Sequence, residues 1–169
     1  MSLYPSPYKC FFTLTRRGIF IGFSSLVLSL GRAEAQKIQT KVLFVCQYGS
    51  VKSAIAREVF KRAAADRGLS VSVSSRGITP EEHMTPELAA QLKADGIDPN
   101  AQALQVLAQT DIDNADIVVT FDALPESMSP KVLRVWSGVP PMTKDYARAR
   151  SALDSRIAQL MSEILKAQE

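Results

Sequence analysis

Cys46 closes the apolar run Val42-Leu43-Phe44-Val45 and is followed by Gln47-Tyr48-Gly49-Ser50-Val51, then Lys52 and Ser53. A buried strand ending in a short loop that opens a helix points several backbone N–H groups, and the positive end of the helix dipole, at one spot. That spot is an anion cradle, and a thiol inside it is expected to react as the thiolate. Cys46 is therefore a candidate nucleophile placed behind a bound oxyanion. Gln47, Tyr48, Gly49, Ser50, Val51, Lys52 and Ser53 form the candidate phosphate-binding loop, to which Lys52 adds a charge. The loop is not a nucleotide-binding one, because that motif needs glycines where Cys46 and Val51 stand. A free cysteine is often only a buried core residue. A strand end before a helix-opening cation favours the site instead.

The elements that must hold this loop alternate. Lys41–Cys46 reads as a central parallel strand, apolar on both faces. Ser53–Arg67 has helical spacing, with Ile55, Val59 and Phe60 on one side and Gly68 as its stop. Val71 and Val73 alternate with serines in a second strand ending near Ser75. Thr85-Pro86-Glu87 opens a helix that reaches Asp95, where Gly96 caps it. A further short helix is expected over Ala101–Ala108, strands over Asp116–Phe121 and Val132–Val135, and a long amphipathic helix from Asp145 to Ala167. This order predicts an α/β three-layer sandwich: a central four-stranded parallel sheet with helices on both faces. Ligands bind such sheets at the carboxyl ends of the strands, which is where Cys46 falls.

Composition narrows the chemistry. The 169 residues carry a formal charge of only +3, with the basic residues scattered, which argues against nucleic acid as a partner. Two cysteines and one histidine make no recognised metal site, and no cofactor is expected. His83 sits in a polar turn and reads as solvated, Trp136 and Phe121 read as core, and Tyr48 is either a pocket rim or a plain loop residue. Met84, Met128 and Met142 lie near loops and form no cofactor box.

The run Val42-Leu43-Phe44-Val45-Cys46, then five residues, a cation and Ser53, resembles the C-x5-R-S signature of the low-molecular-weight tyrosine phosphatase and arsenate reductase superfamily. Ser53-Ala54-Ile55-Ala56-Arg57-Glu58 resembles its first helix, and Ser75-Arg76-Gly77 its turn after the second strand. Ala94-Asp95-Gly96-Ile97-Asp98 and Ala115-Asp116-Ile117-Val118-Val119-Thr120-Phe121-Asp122 resemble later landmarks in order. The resemblance covers Lys41 to the C-terminus. It implies a phosphomonoester hydrolase in which Cys46 forms a thiophosphate, the amides of Gln47 to Lys52 hold the equatorial oxygens, and Ser53 stabilises the thiolate. An aspartate would protonate the leaving oxygen and later activate water.

The sequence departs from that pattern. Lys52 replaces the loop arginine, keeping the charge but not the bidentate fork, and Gly49 replaces a bracing asparagine. Prolines Pro140 and Pro141 occupy the slot of the family's Asp-Pro. The candidate acids are then Asp145, followed by Tyr146, and Asp122 at the end of the third strand; Asp145 reads equally as the N-cap of the last helix. Phosphomonoester hydrolysis is the leading expectation. The alternatives are thiol-dependent arsenate reduction, towards which Ser50 leans, and binding of an oxyanion without turnover.

Residues 1–35 belong to another class of sequence. Arg16 and Arg17 precede an uncharged apolar run, Gly18–Leu30, of about 13 residues, short of the ~20 that span a bilayer. Ala33-Glu34-Ala35 then matches a signal-peptidase site. A twin-arginine-like export signal is expected over 1–35, followed by one low-molecular-weight phosphatase-like domain over 36–169, with export to the periplasm and no membrane contact after cleavage. N-terminal sequencing of protein from a host with the matching export machinery should begin at Gln36; a chain still starting at Met1 or Ser2 would refute the assignment.

Overall fold

β1 (Thr40–Cys46) occupies the middle of the sheet because both of its faces are apolar. Successive side chains of a strand point to opposite faces. Val42, Phe44 and Cys46 thus enter one core cluster while Leu43 and Val45 enter the other. The computed structural model describes residues 39–167, and the export segment expected over 1–35 lies outside the described residues.

The remaining elements are α1 (Lys52–Asp66), β2 (Val71–Gly77), α2 (Pro86–Ala94), a 3-10 turn (Pro99–Ala101), α3 (Gln109–Asn114), β3 (Ile117–Thr120), β4 (Leu133–Val135) and α4 (Tyr146–Ala167). The strand order is β2-β1-β3-β4, and every pairing is parallel, with Cys46 opposite Gly77 and Val45 opposite Thr120. One face of the sheet packs against α1, α2 and α4 through Ile55, Phe60, Leu92, Leu153 and Leu160. The other is covered by α3 through Ile112, together with Leu107 and Ala115. The expected α/β sandwich with helices on both faces is therefore the observed one. Phe121 and Trp136 are buried core residues in edge-to-face contact, as read from the sequence.

Both early helices end where their glycines predicted, with Leu69 N–H bonded to Ala64 O at 2.9 Å and Ile97 N–H to Leu92 O at 2.8 Å. The helix expected over Ala101–Ala108 does not form. After the 3-10 turn the chain is extended, and it joins the end of β2: Gly77 N–H bonds Gln105 O at 3.0 Å and Leu107 N–H bonds Gly77 O at 2.8 Å. Leu107 is buried while Leu104 and Val106 are exposed, so the apolar residues there never had a common helical face to bury. The helix is displaced to Gln109–Asn114, where the Asp111 carboxylate accepts from Ala108 N–H at 2.9 Å. Among the described residues no helix is long and apolar enough to cross a membrane.

Candidate functional site

The loop after β1 is held against the chain that continues from β2. Ile78 N–H bonds Cys46 O at 3.1 Å, Thr79 N–H bonds Gln47 O at 2.8 Å, and Glu81 N–H bonds Tyr48 O at 3.1 Å. Ser50 adds side-chain ties, donating to Glu81 O at 2.7 Å and accepting from His83 N–H at 3.1 Å. Gly49 has φ +77°, and a Cβ there would lie 2.8 Å from Gly77 N; a Cβ on Gly77 would in turn lie 2.8 Å from the Tyr48 carbonyl. Two backbones approach where neither can carry a side chain, which is why Gly49 stands in place of a larger residue.

This packing fixes the sulfur. Cys46 Sγ receives Gly49 N–H at 3.2 Å and lies 3.1 Å from Ser53 Oγ, and both side chains are buried. Ser53 Oγ also lies 3.2 Å from Gly49 O. A hydroxyl has one proton to give. With a thiol, Cys46 can donate to Ser53 while Ser53 donates to Gly49 O; with a thiolate, the Ser53 proton turns to sulfur. The first turn of α1 has no side-chain cap and no acidic residue, so its N–H groups keep their dipole for an anion.

A cavity of about 410 Å³ opens over the sulfur. Each strand end contributes to it: Cys46, Tyr48 and Lys52 after β1, His83 and Thr85 after β2, Asp122 after β3, and Pro141–Thr143 after β4. Parallel sheets place their ligand sites along this edge. Asp122 accepts from Gln47 N–H at 2.9 Å, and its backbone is clamped by the Thr120 hydroxyl. Lys52 has no acidic partner among the described residues. Asp145 does not line the cavity: its carboxylate accepts from Arg148 N–H at 3.0 Å and caps α4. Tyr146 likewise turns away, donating to Asp95 beside Arg150; burial first, and then the Asp95 hydrogen bond, raise its phenol above the usual value.

Two residues were not read from the sequence as parts of this assembly. His83 packs against Tyr48 with ring centroids 3.9 Å apart and planes tilted by 36°, and it lines the cavity, although its polar turn suggested only solvation. Its position beyond the carboxyl end of β2 was the available signal. Arg57 is buried at 2% exposure beneath the loop, with bonds to Glu58 at 2.6 Å, Ser75 at 2.7 Å and Pro99 O at 2.8 Å. It ties α1 to β2 and to the 3-10 turn. Helical periodicity gave only a charged residue among apolar ones, with no sign of partners so distant in sequence.

The family profile described as low molecular weight phosphotyrosine protein phosphatase matches residues 41–154. A thioredoxin-dependent arsenate reductase of Corynebacterium glutamicum is 25% identical, with a TM-score of 0.60; the alignment covers 76% of this chain and 63% of that one. An arsenate reductase in the phosphate binding state is 22% identical, with a TM-score of 0.60 and coverage of 75% and 99%. A low molecular weight phosphotyrosine phosphatase of Vibrio cholerae O395 is 18% identical, with a TM-score of 0.63 and coverage of 76% and 98%. No curated protein matches at the level of sequence.

Lys52 is the first residue of α1, where a cation opposes the helix dipole. Replacing it with glutamine should raise the stability of the fold by about 0.3–1 kcal/mol while weakening phosphate protection of Cys46 against alkylation. Denaturant unfolding and alkylation with and without phosphate measure the two effects; a loss of stability with unchanged protection would contradict this role.

Proposed function

The chain belongs to the low molecular weight phosphotyrosine protein phosphatase family, and on that premise we propose that it hydrolyses phosphomonoesters, aryl phosphates such as phosphotyrosine among them, with Cys46 as nucleophile. The observation that carries this reading is the sulfur held between Ser53 Oγ and Gly49 N–H, at the uncapped start of α1 and in the same cavity as Lys52. Members of the family bind a phosphate-type oxyanion in this loop. We propose in addition that residues 1–35 direct export to the periplasm, a reading supported by the apolar run behind Arg16-Arg17.

In the proposed reaction the loop amides and Lys52 bind the equatorial oxygens, and Cys46 attacks phosphorus in line with the ester oxygen. The ester bond breaks, the leaving oxygen takes a proton, and a thiophosphate forms on Cys46. Of the two candidate acids, Asp122 is the one on the cavity wall, so it is assigned the proton transfer to the leaving group and then the activation of water. Water displaces sulfur, releasing phosphate and returning the thiolate to the Ser53 hydrogen bond.

Arsenate reduction is the second reading, favoured by the resemblance to the Corynebacterium glutamicum enzyme. It requires two thiols, because the two electrons given to arsenate leave a disulfide. Cys46 is the only cysteine among the described residues, so an external thiol would have to supply the second.

Hydrolysis of an aryl phosphate by the domain beginning at Gln36 tests the proposal, and Cys46→Ser should abolish it. Lys52→Arg should restore a two-pronged contact that strengthens as charge develops, raising turnover about tenfold. Asp122→Asn in that background should reverse most of the gain, and Asp145→Asn should not. Background turnover in both Lys52 forms, with phosphate still bound, would replace hydrolysis by oxyanion binding without turnover.

A further inference from the structure

We propose that His83 is a second, proton-switched cation of the oxyanion site, so that the cavity holds a dianion more tightly when the imidazole is protonated. The proposal rests on the oxyanion-binding reading above and adds a residue to it. His83 is not a loosely attached side chain. Its backbone N–H bonds Ser50 Oγ at 3.1 Å, and Ser50 donates in turn to Glu81 O at 2.7 Å, so the turn bearing His83 is fastened to the anion loop itself. Its ring lies against Tyr48 with centroids 3.9 Å apart and planes tilted by 36°, and Nε2 lies 3.2 Å from the Glu81 carboxylate. Imidazole and the Cys46 loop line one cavity of about 410 Å³.

The sign follows from the charges that face this ring. An imidazolium is stabilised by Glu81 at one nitrogen and by the face of Tyr48. Lys52, which also lines the cavity, opposes it, and the Asp122 carboxylate on the same wall favours it. Glu82, in the same turn, has its carboxylate engaged by Met84 N–H at 2.8 Å. Thr85 and the Pro141–Thr143 segment bring no charge. A dianion entering the cradle adds two negative charges near Lys52 and His83. It must therefore favour the protonated ring, and by reciprocity the protonated ring must favour the dianion. Imidazole is the side chain that ordinarily changes charge between about pH 5 and 8. Tight association at mildly acidic pH and release towards alkaline pH is the resulting behaviour.

Sulfate is the appropriate probe, because it stays a dianion throughout this range and phosphate does not. His83 is the only histidine in the chain, so an untagged sample gives one imidazole C2 proton signal. The experiment follows that signal from pH 5.5 to 8 with and without saturating sulfate, beside calorimetric affinities at both ends of the range. The Cys46→Ser form is measured in parallel to remove the charge of the thiolate. The expected result is an upward shift of the imidazole midpoint with sulfate, and binding about three- to tenfold tighter at the acidic end in both forms. In Cys46→Ser/His83→Gln, sulfate should still bind through the loop, with an affinity flat across the range. Sulfate binding that leaves the histidine midpoint unmoved would overturn the role of His83 while preserving the oxyanion site. Absence of sulfate binding in every form at either pH would overturn both this inference and the reading on which it rests.

Discussion

The site depends on one constraint: the loop from Cys46 to Lys52 is laid against the chain that leaves β2. Hydrogen bonds from Ile78, Thr79 and Glu81 hold its carbonyls, and the approach of Gly49 to Gly77 sets how close the two backbones come. Everything chemical follows from that contact. It turns Gly49 N–H towards sulfur, leaves the first turn of α1 open to an anion, and carries His83 to the cavity wall through Ser50. The buried Arg57 holds the other side of the assembly by joining α1, β2 and the 3-10 turn. Cutting such a buried charge away from its partners typically costs about 3–5 kcal/mol, so the support is strong although it touches no substrate.

The cation in this site is set against the stability of its own helix. Lys52 begins α1 with no acidic partner among the described residues and no cap ahead of it. A helix optimised for stability would place an acidic residue there. The same electrostatic conflict makes the position useful, since an arriving dianion removes it. Lysine supplies the charge as a single point, whereas arginine would also supply direction. Binding should therefore be less affected than transition-state stabilisation, which is where this chain's departure from the family signature has its weight.

The parts of the structure that were legible in the sequence are those governed by local pattern. The apolar run before Cys46, the helix opening at Lys52 and the stops at Gly68 and Gly96 each rest on a short-range rule, and each is found within a residue or two of its expected place. The helix expected at Ala101–Ala108 was lost to a long-range competitor, the free end of β2 at Gly77, which no local window contains. Arg57 and His83 escaped for the same reason: their partners lie in β2, the 3-10 turn and the anion loop. Asp145 illustrates the converse. Both of its readings were stated from sequence, and its bond to Arg148 N–H is the capping one. Asp122, the other candidate, reaches the loop through Gln47 N–H.

The central claim is that Cys46 attacks phosphorus and carries the phosphoryl group between the two steps of hydrolysis. The most direct measurement is mass spectrometry of the domain after a rapid acid quench during aryl phosphate turnover, with peptides mapped to locate any adduct. The expected result is one phosphoryl group on the peptide containing Cys46, lost on chase with substrate-free buffer and absent from Cys46→Ser. Phenol release with the phosphoryl group on another residue, or with Cys46 unmodified at every time point, would contradict it.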